Sequence, residues 1–128
     1  MNPIRKWHDV VKKRDFRLLK EILSKDVVFH SPVVHTPQIG KEITFTYLKA
    51  AAEVFYNSNF SYVTEIIKDN YACLEFKLEL EGIHINGLDL ITWNENNQII
   101  EFKVFIRPLK GVQTMHALMG SMLDKIKE

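Results

Sequence analysis

The sequence predicts an α+β fold, a cone-shaped curved antiparallel β-sheet packed on N-terminal helices and followed by a C-terminal helix. Two observations predict it. Helical periodicity fills most of the first half, and a nearly unbroken run of strands then spans residues 60 to 107 before a last helical stripe. Helices and strands grouped in runs, not alternating, argue α+β. A long meander with its helices on one side must curl around them, and that curl can leave a pocket between the layers.

Residues 3–13 read as the first helix, with Ile4, Trp7, Val10 and Val11 on one stripe and Pro3 suited to the first turn. Asp15 reads as the N-cap of a second helix carrying Phe16, Leu18, Leu19, Ile22 and Leu23. The β-rich run Asp26–Ser31 ends at Pro32, which has no N–H for a sheet ladder. Two prolines and a glycine make Pro32–Gly40 a loop. A third helix over 41–57 is expected to turn Ile43, Tyr47, Ala50, Ala51, Val54 and Phe55 inward.

The meander begins with a strand at Phe60–Lys68, closed by Asp69-Asn70. Over Tyr71–Glu81, Ala72, Leu74, Phe76, Leu78 and Leu80 alternate with Cys73, Glu75, Lys77, Glu79 and Glu81, a strand with one wet face. Gly82 marks a turn into Ile83–Trp93, and residues 94–98 connect that strand to Ile99–Arg107. A closing helix over about 111–127 carries Val112, Met115, Leu118, Met119, Leu123 and Ile126.

Bulk properties narrow the function classes. One domain over residues 1–128 is expected, with 46% hydrophobic and 26% charged residues, ordinary for a globular chain. Net charge is +1 with no basic stripe, so no nucleic-acid partner is expected, and the Lys12-Lys13-Arg14 cluster reads as a solvated helix end. The single cysteine, Cys73, forms no internal disulfide and reads as structural. No signal-like or membrane-length apolar run exists, so a cytoplasmic location and no membrane partner are expected. His30 and His35 across a proline loop lack ligand spacing, and no phosphate-cradling loop or nucleophile elbow occurs, so neither a metal nor a cofactor is expected.

The run from Asp15-Phe16 through Asp26-Val27-Val28-Phe29-His30-Ser31-Pro32, then Gly40-Lys41-Glu42, Gly87-Leu88-Asp89-Leu90-Ile91 and Gln98-Ile99-Ile100-Glu101-Phe102, resembles the nuclear transport factor 2-like superfamily. That cystatin-like group includes ketosteroid isomerases and SnoaL-like polyketide cyclases. The resemblance covers nearly the whole chain and implies the fold. It does not imply one activity, because the same cone serves enzymes, binders and docking modules.

Asp89 is the most informative position: mid-strand, with Gly87, Ile91 and Trp93 on its own face. A carboxylate among apolar side chains must be paired or protonated. The resemblance implies the place of the isomerases' protonated pocket acid, which donates a hydrogen bond to an oxyanion. A structural Asp paired with a hydroxyl, indole or Arg is the alternative. The other isomerase groups are replaced. Ser31 stands before Pro32 where the resemblance implies the Asp base, Trp7 stands at the first-helix tyrosine, and Val104 stands where cyclase-type members carry a last-strand acid. A hydroxyl without a neighbouring base takes up no proton near neutral pH.

The reading that follows is a small-molecule-binding protein with an apolar pocket. Its expected lining is Trp7, Phe29, Ser31, Tyr47, Asp89, Trp93, Phe102, Val104 and Met115, with Tyr62 as a further aromatic. An enzyme using Asp89 with His35 or Ser31 is one alternative. A homodimeric scaffold or docking module, suggested by Leu88 and Leu90 opposite Asp89, is another, and the resemblance itself implies a homodimer.

Overall fold

In the computed structural model, which describes residues 2–127 and side chains through residue 125, six strands form one curved sheet with four helices. The elements run α1 (Ile4–Lys13), α2 (Phe16–Ile22), β1 (Leu23–His30), β2 (Gln38–Ile39), α3 (Lys41–Phe55), β3 (Ser61–Lys68), β4 (Tyr71–Leu80), β5 (Ile83–Trp93), β6 (Ile99–Arg107) and α4 (Leu109–Lys127). Spatial order across the sheet is β2-β1-β6-β5-β4-β3. Ile126, expected on the apolar stripe of the last helix, lies outside the described side chains.

Helix α1 buries Ile4, Trp7 and Val10, the predicted stripe. It stops at Arg14, which turns left-handed (φ 51°) while its N–H bonds back to the Val10 carbonyl. Asp15 then caps α2 as expected, its Oδ1 accepting the Leu18 N–H at 3.1 Å. Leu23 is not helical: it begins β1, fully buried, and β1 starts three residues earlier than its β-rich composition suggests.

Two further expectations change. The sheet is mixed, because β1 pairs in parallel with β6 (Phe29 opposite Phe102, His30 opposite Lys103) while β3 to β6 are antiparallel. A parallel neighbour needs a long crossover, and here everything from β2 to β5 separates the two strands. The loop after β1 also contains the two-residue β2, paired antiparallel to Val28 and Phe29.

Helix α3 turns its predicted face inward except at Ile43. It buries Thr44, Leu48 and Ala50, and Ile43 is 38% exposed. Tyr47, Ala51 and Phe55, one stripe at i, i+4 and i+8, border a cavity, and Tyr47 and Phe55 also pack against the core clusters.

Strands β4 and β5 carry the alternation that the sequence displays. Ala72, Leu74, Phe76, Leu78 and Leu80 are buried on β4, and Ile85, Asp89 and Ile91 on β5. Gly87, opposite Phe76, is needed there: a Cβ would lie 2.3 Å from Phe76 Cζ and 2.7 Å from the Phe105 carbonyl oxygen. One core cluster gathers Trp7, Leu19, Leu23, Phe29, Ile91, Trp93, Ile99 and Phe102, and a second gathers Phe76, Leu78, Ile85 and Met115.

Candidate functional site

Between the inner face of the sheet and the helices lies a cavity of about 450 Å³. This falls within the size range of small-molecule sites. Strands β1, β5 and β6 supply Phe29, Asp89, Phe102, Val104 and Ile106, and β3 supplies Tyr62. Helix α1 contributes Trp7, Val10 and Val11, α3 contributes Tyr47 and Phe55, and α4 contributes Met115, His116 and Met119. The wall is apolar because β6 presents Phe102, Val104 and Ile106 at period two on its inner face.

Asp89 is the buried acid of this wall, 5% exposed. It accepts a 2.5 Å hydrogen bond from the Tyr62 hydroxyl, whose oxygen accepts the Trp7 indole N–H at 2.9 Å. The three side chains come from β5, β3 and α1 and form one directed chain of donors ending at the carboxyl group. Trp7 is held edge-on against Phe102 at 5.0 Å, and Tyr62 sits between Phe60 (5.0 Å) and His8 (5.3 Å).

Desolvation dominates the electrostatics. Burial pushes the Asp89 carboxyl up to about 7, against the smaller lowering by the Tyr62 hydrogen bond. Burial, then the nearby Asp89 charge, holds the Tyr62 phenol well above its ordinary value. Near neutral pH the site therefore offers an acid poised between its two forms beside a neutral phenol. Such a pair can donate or accept a hydrogen bond at an uncharged oxygen.

Of the sequence-predicted residues, Trp7, Phe29, Ser31, Tyr47, Asp89, Phe102, Val104 and Met115 line the cavity. Trp93 does not. It is packed at 4% exposure in the core cluster with Ile91, just past a register shift in the β5–β6 ladder. His35 is exposed on the loop and absent from the wall, so no His35–Asp89 pair forms. His30 points to the other face of β1 and bonds Glu101 at 2.9 Å. Ser31 reaches the cavity, but its Oγ accepts the backbone N–H groups of Val33 and Val34, a turn motif without a base.

Among the cavity residues that escaped the sequence reading, three carry basic side chains. Lys12 and Arg14, read as part of a solvated helix end, line the mouth, and His116 joins them from α4. The left-handed turn at Arg14 brings its side chain back over the cavity; that turn leaves no periodic signal. Tyr62 was legible as an aromatic, but its partnership with Asp89 spans two strands and left none either. Among the described residues, no three His, Cys, Asp or Glu side chains assemble as a metal site, and no helix is long and apolar enough to cross a membrane.

Fold and site together define an α+β sheet-and-helix protein whose cavity holds one buried, hydroxyl-bonded acid. The chain belongs to the SnoaL-like domain family, whose sequence profile matches residues 4–102. It is similar to the structure of a steroid Δ-isomerase from Pseudomonas aeruginosa, at 28% identity over 97% of this chain and 90% of that one, with a TM-score of 0.92. It is also similar to an uncharacterised conserved bacterial protein with a cystatin-like fold from Silicibacter pomeroyi, at 31% identity over 94% and 85% of the two chains (TM-score 0.86). A nuclear transport factor 2-like protein of unknown function from Mesorhizobium loti shares the fold at 16% identity, over 82% and 88% of the chains, with a TM-score of 0.73. No curated protein matches the sequence.

Proposed function

We propose that this protein binds an apolar small molecule in the cavity and anchors it through a neutral oxygen at Asp89 and Tyr62. The observation that carries the reading is the Trp7–Tyr62–Asp89 chain ending in an apolar space of about 450 Å³. A carboxyl group kept from water with a single hydroxyl partner is costly to bury, and a ligand oxygen would give it a second. The test is thermal stability against a panel of steroid-like and polyketide-like compounds. A binder at about 100 times its Kd adds about 2.7 kcal/mol. That gain should shrink in Asp89→Ala and in Val104→Trp, which narrows the space. A panel that stabilises neither the native chain nor any variant refutes the reading.

A second reading, an enzyme of the same site, draws on the steroid Δ-isomerase similarity. It lacks the expected base: Ser31 Oγ is tied to backbone and His35 is outside, which leaves His116 as the imidazole on the wall. Steroid isomerisation abolished by His116→Ala, with ligand binding retained, would favour it.

We further propose a homodimer through the outer sheet face, where Leu88 (37% exposed) and Phe105 (52% exposed) are ladder partners. An elution volume matching 15.0 kDa would overturn this.

A further inference from the structure

The cavity wall is asymmetric in charge. Its inner end holds Asp89, and its mouth holds Lys12, Arg14 and His116. Lys12 and His116 are exposed, whereas Arg14 is half-buried and shaped by its surroundings. Its guanidinium carbon lies 4.5 Å from the Tyr56 ring centroid and 6.0 Å from that of Phe16. One Nη group binds Glu53, and the buried Nε–H has no partner. Glu53 offsets one of the two permanent cations, and Lys12 forms no ion pair among the described residues.

We propose that the ligand is a monoanionic amphiphile, an apolar body in the cavity with a carboxylate-type head at Arg14 and Lys12. This inference rests on the reading of the cavity as a binding site. Desolvation sets the orientation. An anion at the inner end would lose its water among Phe102, Val104 and Ile106 and meet the Asp89 carboxyl group, with no cation there to compensate. At the mouth the same head keeps its water and gains two cations. It also gains the planar Arg14 guanidinium, held in place against Tyr56 and by Glu53. The tail then lies along Trp7, Phe102, Val104 and Met115.

The test uses three probes with one tail and different heads: decanoate, decanol and decyltrimethylammonium. Binding is followed by calorimetry and by tryptophan fluorescence, since Trp7 lines the cavity. Decanoate is expected to bind at least about tenfold tighter than decanol, the scale of one charge-assisted contact, with the ammonium weakest. In the double variant Lys12→Gln, Arg14→Gln the decanoate-to-decanol ratio should fall to about one. Should that variant fail to fold, salt decides on the native chain. Raising ionic strength from about 0.01 M to about 1 M shortens screening from ~30 Å to ~3 Å and should erase most of the advantage. Equal affinity for decanoate and decanol overturns the inference and leaves cavity binding standing. A salt-independent preference overturns it too. Binding of none of the three, together with a silent steroid-like panel, removes both readings.

Discussion

The two faces of the sheet treat the same chemistry in opposite ways. Asp89 on β5 and Glu75 on β4 are separated by one ladder step, since Leu74 opposes Asp89 and Glu75 opposes Leu88. Asp89 points inward, has Tyr62 as its hydrogen-bond partner, and is pushed up by burial to about 7. Glu75 points outward, accepts from Asn86 at 3.0 Å and Thr64 at 2.8 Å, and is held below its ordinary value by those bonds. Solvation accounts for the difference. On the outer face water shares the charge and each donor adds a little. On the inner face the missing water outweighs the one strong donor. An outer carboxylate is cheap and replaceable, and an inner one is expensive and specific.

The largest effect that would break this contrast is loss of the inner wall itself. Phe102 is 1% exposed between Trp7 and Phe29, and Phe102→Ala should cost about 3–5 kcal/mol by denaturant melts. A cost under about 1 kcal/mol would mean that the wall is loosely packed and the cavity not preorganised.

The next effect is electrostatic and carries a sign. The carboxyl of Asp89 is raised from 3.8 unfolded to about 7 folded, so the folded state binds the extra proton in that window. Its contribution is fully present below about pH 4 and is lost as pH rises towards 7, a fall on the order of 4 kcal/mol. Asp89→Asn removes the titration. The stability of the native chain relative to this variant should therefore decline from pH 4 to pH 8. A difference that stays flat would place Asp89 in contact with water.

Tyr62→Phe comes third. It strips Asp89 and the Trp7 indole of their shared partner and should cost about 1–3 kcal/mol for the groups left unpaired. Because the hydroxyl lowers the carboxyl value, its loss should move Asp89 above about 7, read by carboxyl carbon titration in NMR. A downward movement would show that Tyr62 serves mainly to dry the site.

The inner face was legible in sequence wherever period-two alternation continued, and for that reason Asp89, Phe102 and Val104 could be assigned to a side before any coordinates. Alternation gives the side of a strand but not what lies opposite. Trp93 and Asp89 share one face of β5, yet one is packed in the core and the other borders open space, a difference set by tertiary packing. His35 failed for a related reason: nearness in a loop says nothing of direction. Arg14 and Tyr62 reach the site through a left-handed turn and a cross-strand hydrogen bond, both tertiary facts without a local pattern.

The smallest effect belongs to the outer face. Glu75 gains its two hydrogen bonds from side chains that water can replace, and Glu75→Gln keeps the shape, an acceptor oxygen for Asn86, and an amide N–H that the Thr64 hydroxyl can accept. At neutral pH the melting temperature should fall only slightly. Glu75 is depressed, so its contribution is present above its ordinary carboxylate range and fades as pH falls through it, opposite to Asp89. Below about pH 4, then, native chain and variant should converge from a small difference in the native chain's favour. If Glu75→Gln instead destabilised the chain as strongly as Tyr62→Phe, the outer face would have to be dry in solution. It would then be covered, as the proposed dimer through Leu88 and Phe105 requires, and dilution should weaken the effect.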